Sequence, residues 1–199
     1  MSSSLTLGTG YTAHMPPIVV LIILLFLVLM WLTIIAILAM VMYGALAIRV
    51  PFVPVAEYVV EALKKEEPLG PGDLFYDLGS GDGRAVLAMA KEYPDAKAIG
   101  VEKGPFPYLL SRLSRFFTKR ENASFLFKDF SKVSLGGATH VYMYLYPEVV
   151  QRLLPKLQAE LRPGAKVILC DFPFQARTAD RTVPVFKGKK KYTLYFYEF

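Results

Sequence analysis

The chain has 199 residues, of which 54% are hydrophobic, and carries a formal net charge of +6 at pH 7. This length allows one domain and an appendage. The single cysteine, Cys170, excludes an internal disulfide, and the two histidines lack partner ligands, so no metal site is expected. All 23 Lys and Arg and all 17 Asp and Glu residues follow residue 48, so the charge belongs to the C-terminal part of the chain.

A long apolar run follows the N-terminal segment 1–17, which is rich in Ser, Thr and Gly and is predicted to be loose. Residues 18–48 contain no charge. Because about 20 apolar residues cross a bilayer as a helix, 18–48 is predicted to be a transmembrane anchor. A cleaved signal peptide is the alternative, but 1–17 lacks Lys and Arg, and the run exceeds a signal's apolar region of roughly 7–15 residues. The run has no polar face, which argues against a buried core helix.

The first charges after this run predict its orientation. Arg49 follows it directly, and Lys64 and Lys65 are close behind. By the positive-inside rule, the chain is a single-pass membrane protein with its N-terminus outside. The domain 49–199 is then cytoplasmic, or on the matrix side if the membrane is mitochondrial. Positive charge beside a membrane attracts anionic lipid, although it would also suit an acidic protein or nucleic acid.

Strand and helix patterns alternate through the domain after a short Pro-containing junction, 49–54. An amphipathic helix begins near Val55 and ends near Lys65. The predicted strands are 74–77, 96–102, 123–128, 140–145 and 166–171, with helices at 83–93, 107–120 and 147–161 and a terminal hairpin of 183–187 with 192–199. This order predicts an α/β fold whose mostly parallel sheet is covered by helices on both faces. The helix at 107–120 has an apolar face made of Leu109, Leu110, Leu113, Phe116 and Phe117.

The sequence Asp-Leu-Gly-Ser-Gly-Asp-Gly-Arg, residues 77–84, joins the first strand to the next helix. Its glycines permit a tight turn and let a ligand approach the backbone at a helix N-terminus. A dinucleotide fingerprint would need a glycine at position 84, which is Arg84. An ordinary strand-to-helix turn is the alternative. The acid-x-Gly-x-Gly-x-Gly spacing resembles the cofactor loop of the Rossmann-like, class I S-adenosylmethionine-dependent methyltransferases.

This resemblance implies a seven-stranded methyltransferase sheet with S-adenosyl-L-methionine as the cofactor. It also implies that Asp77 holds the ammonium group of the cofactor, directly or through water. The backbone of the loop would approach the amino-acid half of the cofactor through Gly79, Ser80, Gly81 and Gly83.

Two more acids belong to the predicted cofactor site. Glu102 ends the second strand, where a carboxylate can accept hydrogen bonds from both ribose hydroxyls; a solvated surface carboxylate is the alternative. Asp129 ends the third strand and corresponds, by resemblance, to the acid that receives the adenine amino group in many methyltransferases. Phe130 would then cover the adenine ring. A helix N-cap is the alternative for Asp129, since Ser131 and Ser134 follow it.

The methyl acceptor is expected beyond the C-terminal ends of the first and fourth strands. Tyr142, Tyr144 and Tyr146 alternate along one face of the fourth strand, and only Tyr146, at the end nearest the cofactor, is predicted to line an acceptor channel. The sequence there, Leu145-Tyr146-Pro147-Glu148, is not the Asn/Asp-Pro-Pro-Tyr motif of enzymes that methylate amino groups of nucleic-acid bases. No nucleic-acid partner is therefore expected.

A second resemblance covers most of residues 30–175. Pro51-Phe52-Val53-Pro54 follows the hydrophobic segment, the loop 77–84 comes next, and Phe172-Pro173-Phe174 follows the fifth strand. This order is similar to that of the membrane-anchored protein-lysine methyltransferases that modify the ATP synthase c-subunit and the adenine nucleotide translocase. The resemblance implies that 51–54 lies over the cofactor and that Phe52, Pro54 and Tyr146 form the acceptor channel.

Two departures from the mitochondrial relatives bear on the compartment and the substrate. Asp171 stands where a basic residue is expected, and the chain contains no Arg-rich amphipathic presequence. The second departure favours a prokaryotic membrane.

The predicted function is methyl transfer to a lysine side chain of a membrane protein close to the bilayer, with no general base assigned. The first alternative is a methyltransferase of a lipid, quinone or other lipophilic small molecule. The second is a non-catalytic, membrane-bound cofactor-binding module. A basic hairpin tip, which is a solvated turn by default, is a candidate for contact with anionic lipid through Lys187, Lys189, Lys190 and Lys191.

Overall fold

A computed structural model describes residues 16–48 and 53–199, with side-chain environments for 16–42 and 53–199. The predicted loose segment 1–17 lies almost wholly outside these residues, and so does Phe52. The chain divides into two compact units between Ala39 and Met40.

Helix α1, Pro17–Ile48, contains 32 residues. Nearly all of its described side chains are exposed, as expected for an apolar helix without a protein core around it. Its segment Pro17–Met42 is long and apolar enough to cross a membrane by length and composition. The helix covers the predicted segment 18–48 and begins one residue earlier, and its role as a membrane anchor stays a prediction.

A seven-stranded sheet forms the centre of the second unit, with the strand order β3-β2-β1-β4-β5-β7-β6. The first five strands run parallel, and β7 runs antiparallel to both β5 and β6. The strand bounds are β1 Leu74–Leu78, β2 Lys97–Glu102, β3 Ala123–Phe127, β4 His140–Met143, β5 Lys166–Cys170, β6 Arg181–Lys187 and β7 Lys190–Glu198. The predicted Rossmann-like architecture with a terminal hairpin is confirmed.

Helices cover both faces of this sheet. Their bounds are α2 Glu57–Glu66, α3 Arg84–Glu92, α4 Pro105–Thr118 and α5 Pro147–Glu160, with a short 3-10 helix at Phe130–Lys132. Helices α2 and α3 share one buried cluster with Phe75, while α5 belongs to the cluster on the other face with Leu78. Helices α4 and α5 begin with proline, whose fixed φ suits the first helical position.

Helix α4 departs from the usual packing of an amphipathic helix, which buries its apolar face. Its one fully buried residue is Ser111, and a Cβ added to Gly83 would lie 3.0 Å from the Ser111 Cβ. This approach leaves room only for small side chains between α4 and the loop before α3. The predicted apolar face of α4 therefore points away from the sheet, with Leu109, Leu113, Phe116 and Phe117 exposed.

Strands β6 and β7 form a hairpin, and its basic tip is an exposed turn. Lys187, Lys189, Lys190 and Lys191 are all exposed. Two of them lie over aromatic rings, with the Lys187 ammonium 5.5 Å from the ring centre of Tyr58 and the Lys191 ammonium 5.9 Å from that of Phe186. Contact of this tip with anionic lipid stays a prediction.

Candidate functional site

The glycine loop between β1 and α3 has a backbone that other residues rarely adopt. Gly79, Gly81 and Gly83 all have positive φ, at 83°, 56° and 80°. The N–H groups of Gly79 and Ser80 donate to the Val101 carbonyl at 2.8 and 3.1 Å, which fixes the loop to the end of β2. The predicted strand, tight turn and helix N-terminus are thus present in this order.

Close packing adds a second requirement for glycine in this loop. A Cβ on Gly79 would lie 2.6 Å from the Leu145 side chain, and one on Gly83 would lie 2.4 Å from the Phe125 ring. At Gly83 the packing itself disfavours a larger residue, whereas the contact at Gly79 is with the end of a flexible side chain that can shift. The ordinary-turn interpretation therefore explains part of the glycine pattern without any ligand.

Glu102 connects two loops at the ends of neighbouring strands. Its Oε2 accepts a 3.0 Å hydrogen bond from the Gly81 N–H, and its Oε1 accepts one of 2.6 Å from the Gly104 N–H. A carboxylate oxygen can accept more than one hydrogen bond, and Glu102 also lines the cavity described below. This carboxylate can therefore accept from two ligand hydroxyls while it holds the loops together.

Asp77 is a buried acid at the end of β1, with 4% of its surface exposed. Burial raises the pKa of its carboxyl well above the ordinary value, and the negative charges of Glu102 and Asp82 raise this pKa further. The buried Ser80 hydroxyl, in the same loop, has no hydrogen-bond partner among the described residues. Buried polar groups normally have partners, and a positively charged group of a ligand would stabilise the Asp77 carboxylate. That Asp77 and Ser80 bind the cofactor stays a prediction.

A cavity of about 550 Å³ brings most of the predicted site together at the C-terminal ends of the strands. This volume is in the range of small-molecule sites, roughly 300–1,000 Å³. The predicted residues in its lining are Pro54, Asp77, Gly79, Ser80, Glu102, Asp129, Phe130 and Tyr146. Gly81 and Gly83 lie behind this lining, where Gly81 binds Glu102 and Gly83 packs against Phe125.

Asp129 caps the 3-10 helix that follows β3. Its Oδ1 accepts from the Ser131 N–H at 3.0 Å and from the Ser131 hydroxyl at 2.8 Å, while the Lys103 ammonium lies 3.7 Å from Oδ2. Burial would raise the pKa of Asp129, but the Ser131 hydrogen bonds, Lys103 and Lys132 outweigh it and hold this pKa below its usual value. The N-cap alternative thus describes one role of Asp129, and adenine contact through Oδ2 stays a prediction.

Tyrosines and a proline surround the far part of the cavity. Tyr142 and Tyr144 line it together with the predicted Tyr146 and Pro54. Burial raises the pKa of Tyr144 to about 12, and the nearby Tyr192 adds to this effect. A tyrosine with the ordinary pKa of about 10 is already protonated at neutral pH, and this shift favours the same state for the Tyr144 phenol.

Several lining residues were missed by sequence reasoning. Strand β4 ends at Met143, two residues before its predicted end, so Tyr144 leaves the sheet and reaches the cavity. Helix α4 begins at Pro105, two residues before its predicted start, which places Phe106 and Pro107 in its first turn beside Glu102. Pro105 and Pro107 both suit a first helical position, so the sequence pattern alone did not select the earlier start.

The Phe172-Pro173-Phe174 segment does not line this cavity. Phe174 is buried against Tyr197, with ring centres 4.8 Å apart, and its N–H donates to the Tyr197 hydroxyl at 3.1 Å. Asp171, just before it, has a φ of 65° and accepts a hydrogen bond from the Thr193 N–H at 2.9 Å. This segment thus packs against β7 directly after the end of β5. Over residues 16–48 and 53–199, no cluster of three or more His, Cys, Asp or Glu residues could hold a metal ion.

Replacement of Glu102 by alanine tests its role at the site. Glu102→Ala should weaken cofactor binding by about 10–100-fold, because hydrogen bonds to a charged group contribute roughly 1.5–3 kcal/mol, and it leaves the Gly81 and Gly104 N–H groups without their acceptor. Isothermal titration with S-adenosylhomocysteine measures this loss. Glu121→Ala, at an exposed position after α4, is the matched control, and equal affinities in the two variants would contradict the assignment.

Sequence and structure comparisons agree with this geometry. A profile described as the ANTKMT methyltransferase domain matches residues 77–181. The chain is 32% identical over 155 residues to a protein-lysine N-methyltransferase of Saccharolobus islandicus (strain REY15A), over 75% of this chain and 93% of that protein. It is 39% identical over 137 residues to the lysine N-methyltransferase of the ATP synthase c-subunit in Rattus norvegicus, over 66% of this chain and 60% of the rat protein.

A solved structure has the same fold. The RNA methyltransferase from Salinibacter ruber, in complex with S-adenosyl-L-homocysteine, superposes with a TM-score of 0.68 at 32% identity, over 73% of this chain and 93% of that one. The fold and the comparisons define a class I methyltransferase that uses S-adenosylmethionine. Within this class, the chain belongs to the ANTKMT methyltransferase domain family.

Proposed function

We propose that this chain is a membrane-anchored methyltransferase that transfers the methyl group of S-adenosylmethionine to a lysine side chain of a membrane protein close to the bilayer. The observation that carries the proposal is the cavity that joins the acids Asp77 and Glu102 to the aromatic end at Tyr144 and Tyr146. Relatives named as lysine methyltransferases of the ATP synthase c-subunit and of the adenine nucleotide translocase support a protein substrate.

Covalent connection supports an acceptor near the membrane. Ile48 ends the apolar helix, and Pro54, six residues later, lines the cavity. Extended chain spans at most about 3.6 Å per residue, so this connection reaches no further than about 22 Å. With α1 as the anchor, its N-terminus outside and Arg49 on the cytoplasmic side, the cavity stays close to the bilayer surface.

The described residues supply binding and orientation. The cofactor, when bound, supplies a methyl group that is attached to a positively charged sulfur. The methyl group can leave this sulfur without the help of a metal. Asp77 neutralises the ammonium of the cofactor, Glu102 accepts the ribose hydroxyls, and Asp129 with Phe130 holds the adenine. Holding both reactants in line accounts for most of the catalysis in such a transfer.

The acceptor amine must be uncharged to react. Free lysine has a pKa of about 10.4, and the partly apolar wall around Pro54 and Tyr146 disfavours an ammonium group by desolvation. The rings of Tyr144 and Tyr146 can attract the same ammonium through cation–π contact. The protonated Tyr144 phenol can accept a hydrogen bond from the amine. No residue is assigned as a general base.

The experiment follows the methyl group into native membranes. The purified full chain is incubated with membranes of its own source and S-adenosylmethionine labelled in the methyl group, and label is then counted in separated protein, lipid and RNA. Methyllysine in a membrane protein is the expected product. Label confined to lipid would support the lipid alternative instead. Label confined to RNA would match the name of the Salinibacter relative, and either result would overturn the proposal.

A further inference from the structure

An apolar patch covers the outward face of α4 and continues onto the sheet edge. Phe116 and Phe117 are 74% and 76% exposed, and Leu109 and Leu113 are about half exposed. Phe127, on the edge strand β3, is also exposed, and its ring centre lies 5.1 Å from that of Tyr108 on α4. These five exposed residues, Leu109, Leu113, Phe116, Phe117 and Phe127, form the α4 patch.

The α4 patch is not explained by the cofactor site or by the core. Ser111 and Tyr108 already attach α4 to the rest of the domain. Two large aromatic side chains next to each other in water are unfavourable unless another surface covers them. The α4 patch therefore indicates an interaction surface.

The charge around the α4 patch identifies what covers it. Residues 103–120 contain five Lys and Arg residues and no Asp or Glu. Arg112 and Lys119 are exposed on the same helix end as the two phenylalanines. A second copy of the chain, paired through this face, would bring these like charges together. A helix with Phe and Leu on one side and Lys and Arg beside them instead fits the boundary between lipid headgroups and acyl chains.

We propose that α4 lies on the surface of an anionic bilayer and inserts the α4 patch among the lipids. This inference rests on the proposed membrane anchor, because a domain tethered by α1 remains near that surface. Such a second contact would hold the domain in one orientation relative to the bilayer. The mouth of the cavity would then lie at one fixed depth relative to the bilayer, and it would meet a membrane protein substrate at that depth.

A single tryptophan reports the contact in the full chain. Trp31, in α1, is the one tryptophan of the sequence, so the Trp31→Phe background accepts a new probe at Phe117→Trp. The protein is reconstituted into vesicles of equimolar phosphatidylcholine and phosphatidylglycerol, with and without bromine on the acyl chains. The Phe117→Trp probe should lose most of its emission to brominated lipid, and the loss should shrink in vesicles of phosphatidylcholine alone.

Two controls separate this contact from the anchor. The native Trp31 reports insertion of α1 in the same vesicles. Lys91→Trp in the Trp31→Phe background places the probe at an exposed position on α3, outside the α4 patch, and it should keep its emission. Quenching of Trp31 without quenching at Phe117→Trp would overturn the α4 inference and leave the anchor standing.

Other outcomes also decide the question. Blue-shifted emission at Phe117→Trp without bromine quenching would show that protein, such as a second copy of the chain, covers the α4 patch, and it would overturn the inference. Equal quenching at Phe117→Trp and Lys91→Trp would show general adhesion of the domain and would overturn it as well. A thermal shift on addition of S-adenosylhomocysteine verifies that each variant is folded.

Discussion

The Asp77→Asn variant is expected to bind S-adenosylmethionine about 10–100-fold more weakly than the wild type, because a hydrogen bond to a charged group contributes roughly 1.5–3 kcal/mol. The same variant should be more stable than the wild type when no cofactor is present. The opposite signs follow from the position of Asp77, which is buried beside Glu102 and Asp82. A negative charge there is unfavourable until a positively charged ligand arrives.

The pH dependence of the free protein follows from the same pKa. Burial raises the pKa of Asp77 well above its ordinary value of 3.8 in the folded state. In the unfolded state this carboxyl ionises near its ordinary pKa, so its contribution to folding is fully present below that value and is lost as pH rises toward the folded pKa. Asparagine has nearly the same shape and does not ionise, so the variant should not show this part of the loss.

Thermal unfolding with and without S-adenosylmethionine measures both effects. Cofactor binding should raise the unfolding temperature of the wild type at neutral pH much more than that of Asp77→Asn. Asp95→Asn, at an exposed position before β2, is the matched control and should behave as the wild type. A variant that loses stability but keeps its cofactor affinity would show that Asp77 has a structural role and does not hold the ammonium.

The sequence predicts the cofactor side of the site better than the acceptor side. Asp77, the glycines and Glu102 lie at fixed distances from strand ends, and parallel strands bring those ends together at one edge. Which residues line the acceptor side depends on where the strands and helices end, and β4 ends two residues before its predicted end. Tyr144 therefore enters the cavity, although the period of two along a strand assigned it to packing.

Tertiary contacts explain the other differences. An apolar stripe on a helix indicates that another surface covers it, but the stripe does not show which surface this is. The exposure of Phe116 could therefore not be predicted from periodicity alone. The approach of Ser111 to Gly83, which turns that stripe outward, joins residues far apart in the chain. Asp129 is a local case, since Ser131, two residues later, makes it the cap that the sequence offered as an alternative.

Gly83→Ala is expected to destabilise the domain by about 2–5 kcal/mol even without cofactor. Gly83 has a φ of 80°, where an L side chain costs roughly 1–2 kcal/mol. An added Cβ would also lie 2.4 Å from the Phe125 ring and 3.0 Å from Ser111, and overpacking of this kind costs typically about 1–3 kcal/mol more. Urea unfolding of the full chain in micelles, followed by near-ultraviolet circular dichroism of its tyrosines, measures the loss.

Gly164→Ala separates the two causes. Gly164 has a φ of 84°, and nothing lies within 4 Å of a Cβ added there, so this variant should lose only the backbone part, about 1–2 kcal/mol. Equal losses in the two variants would show that Phe125 moves aside at no cost and would contradict the packing argument. A larger loss at Gly83 would mean that the glycine next to the helix N-terminus is required by the fold itself. The recognition of the cofactor would then depend more on Asp77 and Glu102 than on the third glycine of the loop.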